Sequence, residues 1–285
     1  MRQAVNSGRR FYKMSGSGND FVVFDSRDAN ARDLESVDTV KALSARGTGV
    51  GADGVVFLEP RQEDSFQIRY YNSDGSRGEL CGNATLCALR LAYDTAMVDA
   101  EEVSIQTDSG VVTGRMAAGR PEIDFAPVSE VRDTVAEIPR LTRETCLGFA
   151  RAGVPHIVIL DEDVRTADIL GRGSRIRRDP SLRDGANVNF VAQIDGRWYT
   201  RTYERGVEGE TLACGTGAVA TAILLSVWGR AGDRVTLRTR SGRDLEVRLR
   251  ETGGVWHPSL RGPAEIVFKG ELGDVLDLGA ESPSA

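Results

Sequence analysis

Residues 79–84 read Glu-Leu-Cys-Gly-Asn-Ala and residues 212–217 read Leu-Ala-Cys-Gly-Thr-Gly, and the likeness of these two stretches decides how the rest of the chain is read. Each Cys-Gly opens an apolar run. Leu86, Leu89 and Tyr93 follow Cys81 at helical spacing, and the segment Ala218 to Trp228 follows Cys214. The two cysteines are 133 positions apart, and nearly the same interval recurs elsewhere. Gly51-Ala52-Asp53 returns as Gly185-Ala186-Asn187, and Val22-Val23-Phe24-Asp25 returns as Val158-Ile159-Leu160-Asp161. The run from Val103 to Gly110 is echoed from Val235 to Gly242. Matches in one order, at offsets of 132 to 136, imply a duplicated unit.

Within each copy, short β-branched and aromatic runs bounded by Gly, Asp or Asn predict strands. They fall at Phe21–Asp25, Val55–Glu59, Phe66–Tyr71 and Val103–Thr107, then at His156–Leu160, Val188–Val191, Val235–Arg238 and Leu245–Leu249. Helices are predicted at Thr39–Arg46, at Ala84–Tyr93 with Asn83 as its cap, and at Ala218–Trp228, which stops at Gly229. The last is apolar on nearly every face and must be enclosed, and strands are the only abundant material to enclose it. The expected fold class is therefore α+β, with two pseudo-symmetric domains. Each is a barrel-like, mostly antiparallel sheet around a central helix. The expected boundaries are 1–130, holding Cys81, and 131–261, holding Cys214, with Pro127 to Leu141 as the connection and 276–285 as a frayed tail.

Bulk properties exclude several function classes. The 285 residues carry a net charge of −6, which gives no basic footprint for nucleic acid or for an anionic membrane. The opening MRQAVNSGRR has no apolar core, so no secretory signal is read. The longest apolar run is about half of the roughly 20 residues that a membrane span needs. A cytoplasmic protein is expected, and its four cysteines (Cys81, Cys87, Cys146, Cys214) read as free thiols. Two histidines and scattered cysteines offer no zinc spacing, and no Gly-rich nucleotide loop is present. A pyridoxal Schiff base needs a lysine, and Lys13, Lys41 and Lys269 all lie away from the cysteine motifs. No metal and no cofactor are expected.

A thiolate is stabilised at a helix N-terminus, where unpaired N–H groups and the macrodipole favour negative charge, and the same N–H groups bind carboxylates. A pseudo-twofold axis relating the two halves would set Cys81 and Cys214 face to face. Two opposed, proton-transferring thiols are what racemisation without a cofactor needs. Cys87 and Cys146 read as inert buried cysteines. Asn72-Ser73-Asp74-Gly75-Ser76 is a turn by composition, His156 begins a strand, and His257 reads as a loop residue. Glu204 and Arg205, nine to ten residues before Cys214, read as a surface loop pair.

Assembled, these segments closely resemble the diaminopimelate epimerase family. The resemblance rests on KMSGSGNDFVVFD, GVGADGVVFLE, YYNSDGSRGELCGN, GVPHIVI, DGANVNFV, YERGVEGETLACGTGAVA and RGPAEIVFKGEL, which run from Lys13 to Leu272. It implies two domains of the kind inferred above, with a last strand at about 262–275 joining the N-terminal one. It implies Cys81 and Cys214 as the catalytic acid and base, with His156 and Glu204 tuning them. The implied substrate-binding residues are Asn19, Asn72, Gly82, Asn83, Asn187, Glu204, Arg205, Gly215 and Thr216. The implied reaction is cofactor-independent conversion of LL- to meso-diaminopimelate, in lysine and peptidoglycan precursor synthesis. The only implied partner is that small molecule, and a homodimer is compatible. The sequence departs from the family's common pattern at Ser15, Gly54, Ala84, Leu86 and Val154, which bears on substrate more than on reaction type. The alternatives are a two-thiol racemase of proline, hydroxyproline or histidine type, a phenazine-type isomerase lacking the cysteine pair, and a non-catalytic amino-acid-binding or redox-responsive module.

Overall fold

A computed structural model describes residues 8–27, 31–78 and 80–273. Glu79 and the tail expected over 276–285 lie outside the described residues. The chain divides into two compact units, Met1–Pro121 with Ala264–Ala285, and Glu122–Pro263.

In the first unit, β1 (Arg10–Gly16) and β2 (Asn19–Asp25) form a hairpin, and β2 runs parallel to β3 (Gly54–Pro60). Next, β3 pairs antiparallel with β4 (Ser65–Asn72). That strand pairs antiparallel with β5 (Arg77–Gly78) and parallel with β6 (Glu102–Thr107), whose hairpin partner is β7 (Gly110–Ala117). Its helices are α1 (Val37–Ser44) and α2 (Gly82–Asp94).

The second unit repeats the scheme after β8 (Arg120–Asp124) and β9 (Val131–Arg132). There β10 (Glu144–Ala152) and β11 (Val154–Asp161) form a hairpin, β11 runs parallel to β12 (Asn187–Ile194), and β12 pairs antiparallel with β13 (Arg197–Glu204). Strand β13 pairs antiparallel with β14 (Gly209–Thr211) and parallel with β15 (Arg234–Arg238), and β15 pairs antiparallel with β16 (Asp244–Thr252). The same order of parallel and antiparallel pairings appears in both units, which is the duplication expressed in hydrogen bonds. Strand β17 (Val255–Arg261) joins β16 to β8. Helices α3 (Ile169–Arg177) and α4 (Gly215–Val227) complete the unit. The last strand, β18 (Ala264–Glu271), pairs antiparallel with β1.

Each sheet curls around one helix. Six strands pack on α2 (β1, β2, β3, β4, β7, β18), and six on α4 (β10, β11, β12, β15, β16, β17). In α4 the stretch from Gly217 to Leu225 is buried throughout, so an all-round apolar sequence is the one that fits. Phe-Val-Val-Phe in β2 and Val-Val-Phe-Leu in β3 are buried on both faces, which is why they read as continuous apolar runs. Phe24 and Phe57 stack there at 5.4 Å. Helix α4 ends in a Schellman motif. Gly229 has φ +65°, its N–H bonds Ser226 O at 2.9 Å, and Arg230 N–H bonds Leu225 O at 2.8 Å.

The structure corrects several local expectations. Helix α1 starts two residues early because Ser36 caps it, accepting from Thr39 N at 3.2 Å. The cap of α2 is Cys81, not Asn83: Cys81 is extended, and its carbonyl accepts from Thr85 N at 2.9 Å. His257 is a strand residue paired with Arg250, and His156 is the third residue of β11. Asn72 and Glu204 are not loop residues but the last positions of β4 and β13.

Candidate active site

Cys81 and Cys214 hold the same local position in their units. Each is the N-cap residue of the enclosed helix, with φ, ψ of −123°, 113° for Cys81 and −133°, 112° for Cys214. Extended dihedrals followed at once by helical ones point the first-turn N–H groups back past the cap residue, where they have no intrahelical acceptor. At Cys214 this is realised as bonding to sulfur: Gly217 N–H donates to Sγ at 3.4 Å, and Thr216 Oγ1 lies 3.5 Å from it. Gly217 must be glycine, because a Cβ there would run into Asn189 Oδ1 and the Cys214 side chain. Cys81 is half-buried and Cys214 is 9% exposed. Cys87, deep in α2, has its thiol pushed above the ordinary range by burial and then by Cys81, which keeps it protonated. None of the four cysteines is in a disulfide.

In the first unit, Asn83 Nδ2 donates to Asn19 Oδ1 at 2.7 Å, tying α2 to the start of β2. Asn19 Nδ2 in turn donates to Asp53 Oδ2 at 3.0 Å. Asp53 and Asp20 share Arg46, and Lys13 bridges Asp20 and the Gly51 carbonyl. Hydrogen bonds from Arg46 and Lys13 hold Asp20 below the usual carboxylate range, against the opposing effect of burial, which is the largest single influence. Asn72 is set apart from this chain. Its Oδ1 accepts from Tyr70 OH at 2.9 Å and its Nδ2 donates to Ser76 Oγ at 3.0 Å.

In the second unit, β11 and β12 place His156 beside Asn187 in register. Asn187 Oδ1 accepts from Arg205 N at 2.7 Å, which fixes the turn after Glu204, and the Arg205 guanidinium donates to Asp184 O at 2.9 Å. His156 is fully buried. Burial first, and the positive Arg205 second, push its pKa down to about 3, so the ring is neutral. Its Nδ1 lies 3.1 Å from Asn189 Nδ2. Gly215 is buried and Thr216 half-buried.

Comparison with known proteins bears on what this arrangement does. The profile of the family described as Diaminopimelate epimerase matches residues 11–124 and 148–267. Diaminopimelate epimerase of Gemmatimonas aurantiaca is 45% identical over 274 residues, covering 92% of this chain and 98% of that one. The chain belongs to the diaminopimelate epimerase family. The enzyme of the same name from Aquifex aeolicus is 36% identical over 278 residues, with 93% and 98% covered. A solved structure of a phenazine biosynthesis protein of the PhzF family from Bacillus anthracis has the same fold. Its TM-score is 0.73 at 11% identity, covering 93% of this chain and 98% of that one.

Against the family pattern, Gly54 has a local explanation. A Cβ there would meet the Tyr70 ring and the Tyr71 carbonyl at 2.6 Å, so the glycine lets Tyr70 lie flat and reach Asn72. Ala84 and Leu86 are fully buried in α2. Ser15 pairs with Asp20 in the β1–β2 hairpin, and Val154 opens β11. Asp53, which accepts from Asn19, and Asn189, which faces His156, are not singled out by any motif in the sequence. Asp53 stands where Asn187 stands in the repeat, and Asn189 shares a strand face with Asn187, two residues on. Among the described residues, no helix is long and apolar enough to cross a membrane, and no group of three His, Cys, Asp or Glu side chains is arranged for a metal ion.

Proposed function

We propose that this chain epimerises LL-2,6-diaminopimelate to meso-diaminopimelate, a step towards lysine and peptidoglycan, with Cys81 and Cys214 as a two-base pair and no cofactor. The supporting observation is the twin placement of the thiols as N-cap residues of the two enclosed helices, in a chain of this family. One sulfur, as thiolate, takes the α-proton and becomes S–H, while the C–H electron pair stays on carbon and spreads into the adjacent carboxylate. The other thiol then delivers its proton to the opposite face and is left as thiolate. The pair thus ends each turnover with its protonation states exchanged.

No ring is available to take up the carbanion, so charge must be stabilised at the carboxylate oxygens. The amides of Gly82, Asn83, Gly215 and Thr216 are suited to that task by their place in the first helical turns. Asn19, Asn72, Asn187, Glu204 and Arg205 are proposed to hold the substrate's amino and carboxyl groups, with Arg205 as a carboxylate partner. Near-complete coverage by epimerases at 45% and 36% identity supports diaminopimelate over a proline-, hydroxyproline- or histidine-type substrate. A cytoplasmic setting fits four cysteines with no disulfide among them, two of which must stay reduced to work.

The test is incubation with LL-diaminopimelate in D₂O under reducing conditions, following deuterium at the α-carbon and the appearance of the meso form. Exchange with proline or histidine, and none with diaminopimelate, would overturn the substrate and leave the chemistry standing.

A further inference from the structure

Asn189 lies on β12, fully buried, and its two amide ends can be told apart by their neighbours. One end is 3.1 Å from the Ile157 carbonyl, which can only accept, so that end is nitrogen. The other end lies 2.9 Å from Thr202 Oγ1, whose hydroxyl donates to it, so that end is oxygen. The NH₂ group has a second hydrogen, and His156 Nδ1 faces it at 3.1 Å. A donor aimed at Nδ1 requires a lone pair there, and the ring's hydrogen must then sit on Nε2. His156 Nε2 is buried and has no acceptor among the described residues. A buried N–H without a partner is costly, and one kept beside a candidate site points to a role there.

The same asparagine touches the thiol's support. Its Oδ1 packs against Gly217, whose N–H donates to Cys214 Sγ at 3.4 Å. A single side chain therefore sets both the tautomer of His156 and the space behind the capping turn of Cys214.

We infer that Asn189 is a positioning residue that locks His156 in the Nε2–H tautomer, so that His156 serves the reaction as a hydrogen-bond donor and not as a base. Burial and Arg205, which keep the ring from gaining a second proton, act in the same direction. The acceptor that completes Nε2–H is an anionic atom present during turnover, a substrate carboxylate oxygen or a sulfur. This part rests on the epimerase reading above.

The test is long-range ¹H–¹⁵N correlation spectroscopy on ¹⁵N-labelled protein carrying His257→Gln, which leaves His156 as the single histidine. The expected spectrum shows an unprotonated Nδ1 and a protonated Nε2, unchanged from pH 5 to pH 9. A protonated Nδ1, or a titration within that range, overturns the lock with Asn189 and His156 both left unaltered. In Asn189→Asp a carboxylate faces Nδ1 and draws the proton to it, so the signature should invert. With it kcat should fall about 10- to 100-fold, the size typical when the partner orienting a functional histidine is lost. An inverted tautomer with native kcat overturns the positioning role. His156→Gln with native turnover would remove the epimerase-site reading of His156 while leaving the spectroscopic result intact, so the two failures are distinguishable.

Discussion

Substituting Gly217 by alanine tests how tightly the Cys214 turn is built. In an ordinary helix the change would gain up to about 1 kcal/mol in propensity. Here the new methyl would overlap Asn189 Oδ1 and lie 3.2 Å from the Cys214 Cβ and Sγ atoms. Overpacking of that kind costs about 1–3 kcal/mol, and pushing Asn189 aside endangers its bond from Thr202, worth about 1 kcal/mol net. The expected outcome is net destabilisation of about 1–3 kcal/mol. Removing the obstacle should reverse the sign, so in an Asn189→Ala background the added methyl should be neutral or stabilising. A coupling of about 1–3 kcal/mol follows for residues in contact. The assay is available within the sequence: Trp198, Trp228 and Trp256 are the only tryptophans, and all lie in Glu122–Pro263. Tryptophan fluorescence during urea unfolding thus reports that unit by itself. Additive effects, with coupling under about 0.5 kcal/mol, would refute the contact between Gly217 and Asn189 as the reason for glycine.

Three further outcomes are expected. Cys81→Ala and Cys214→Ala should each lower epimerisation by about 10²-fold or more, measured as meso product, and near-native activity in either would end the two-base scheme. The folded pKa of His156, about 3, lies below its unfolded value of 6.5, so the unfolded state binds the extra proton first and stability falls as pH drops from 6.5 towards 3. This group contributes about 1.4 kcal/mol of loss per pH unit in that window, so His156→Gln should show a shallower acid limb by fluorescence, and parallel curves would contradict its burial as a neutral ring. Tyr70→Phe removes the donor to Asn72 Oδ1 at a cost of about 1 kcal/mol. It should raise KM more than it lowers kcat, and steady-state kinetics with an unchanged KM would show that Asn72 needs no such support.

The duplicated unit was legible because repetition and helix capping leave local marks. Cys-Gly before an apolar run, and Phe-Val-Val-Phe bounded by Asp, carry their structure in a few adjacent residues. What escaped is what depends on distant partners. Helix α3 contains two glycines in Ile-Leu-Gly-Arg-Gly-Ser-Arg-Ile-Arg and has weak propensity. It is held instead by the Asp168 cap and by Arg172, which is buried against Glu144 at 2.9 Å. Strand β10 hides because Gly148 and Arg151 break its apolar pattern, although β9 and β11 flank it. The site shows the same division. The cysteines stand at a chemical signature, while Asn189 gathers contacts from Ile157, Thr202 and Gly217 that no spacing in the sequence displays.

The pairing of β18 with β1 has a consequence for how the protein comes into being. Arg10 meets Glu271 across that ladder, so the first unit is interrupted in sequence by the whole of the second. As the chain leaves the ribosome, the unit bearing Cys214 has every strand it needs before the unit bearing Cys81 receives its last. Until then β1 has β2 on one side and an unpaired edge on the other, the kind of edge that recruits stray strands. Synthesis order therefore sets the order of maturation: one thiol's housing can close early, and the other's waits for the strand that follows the second unit.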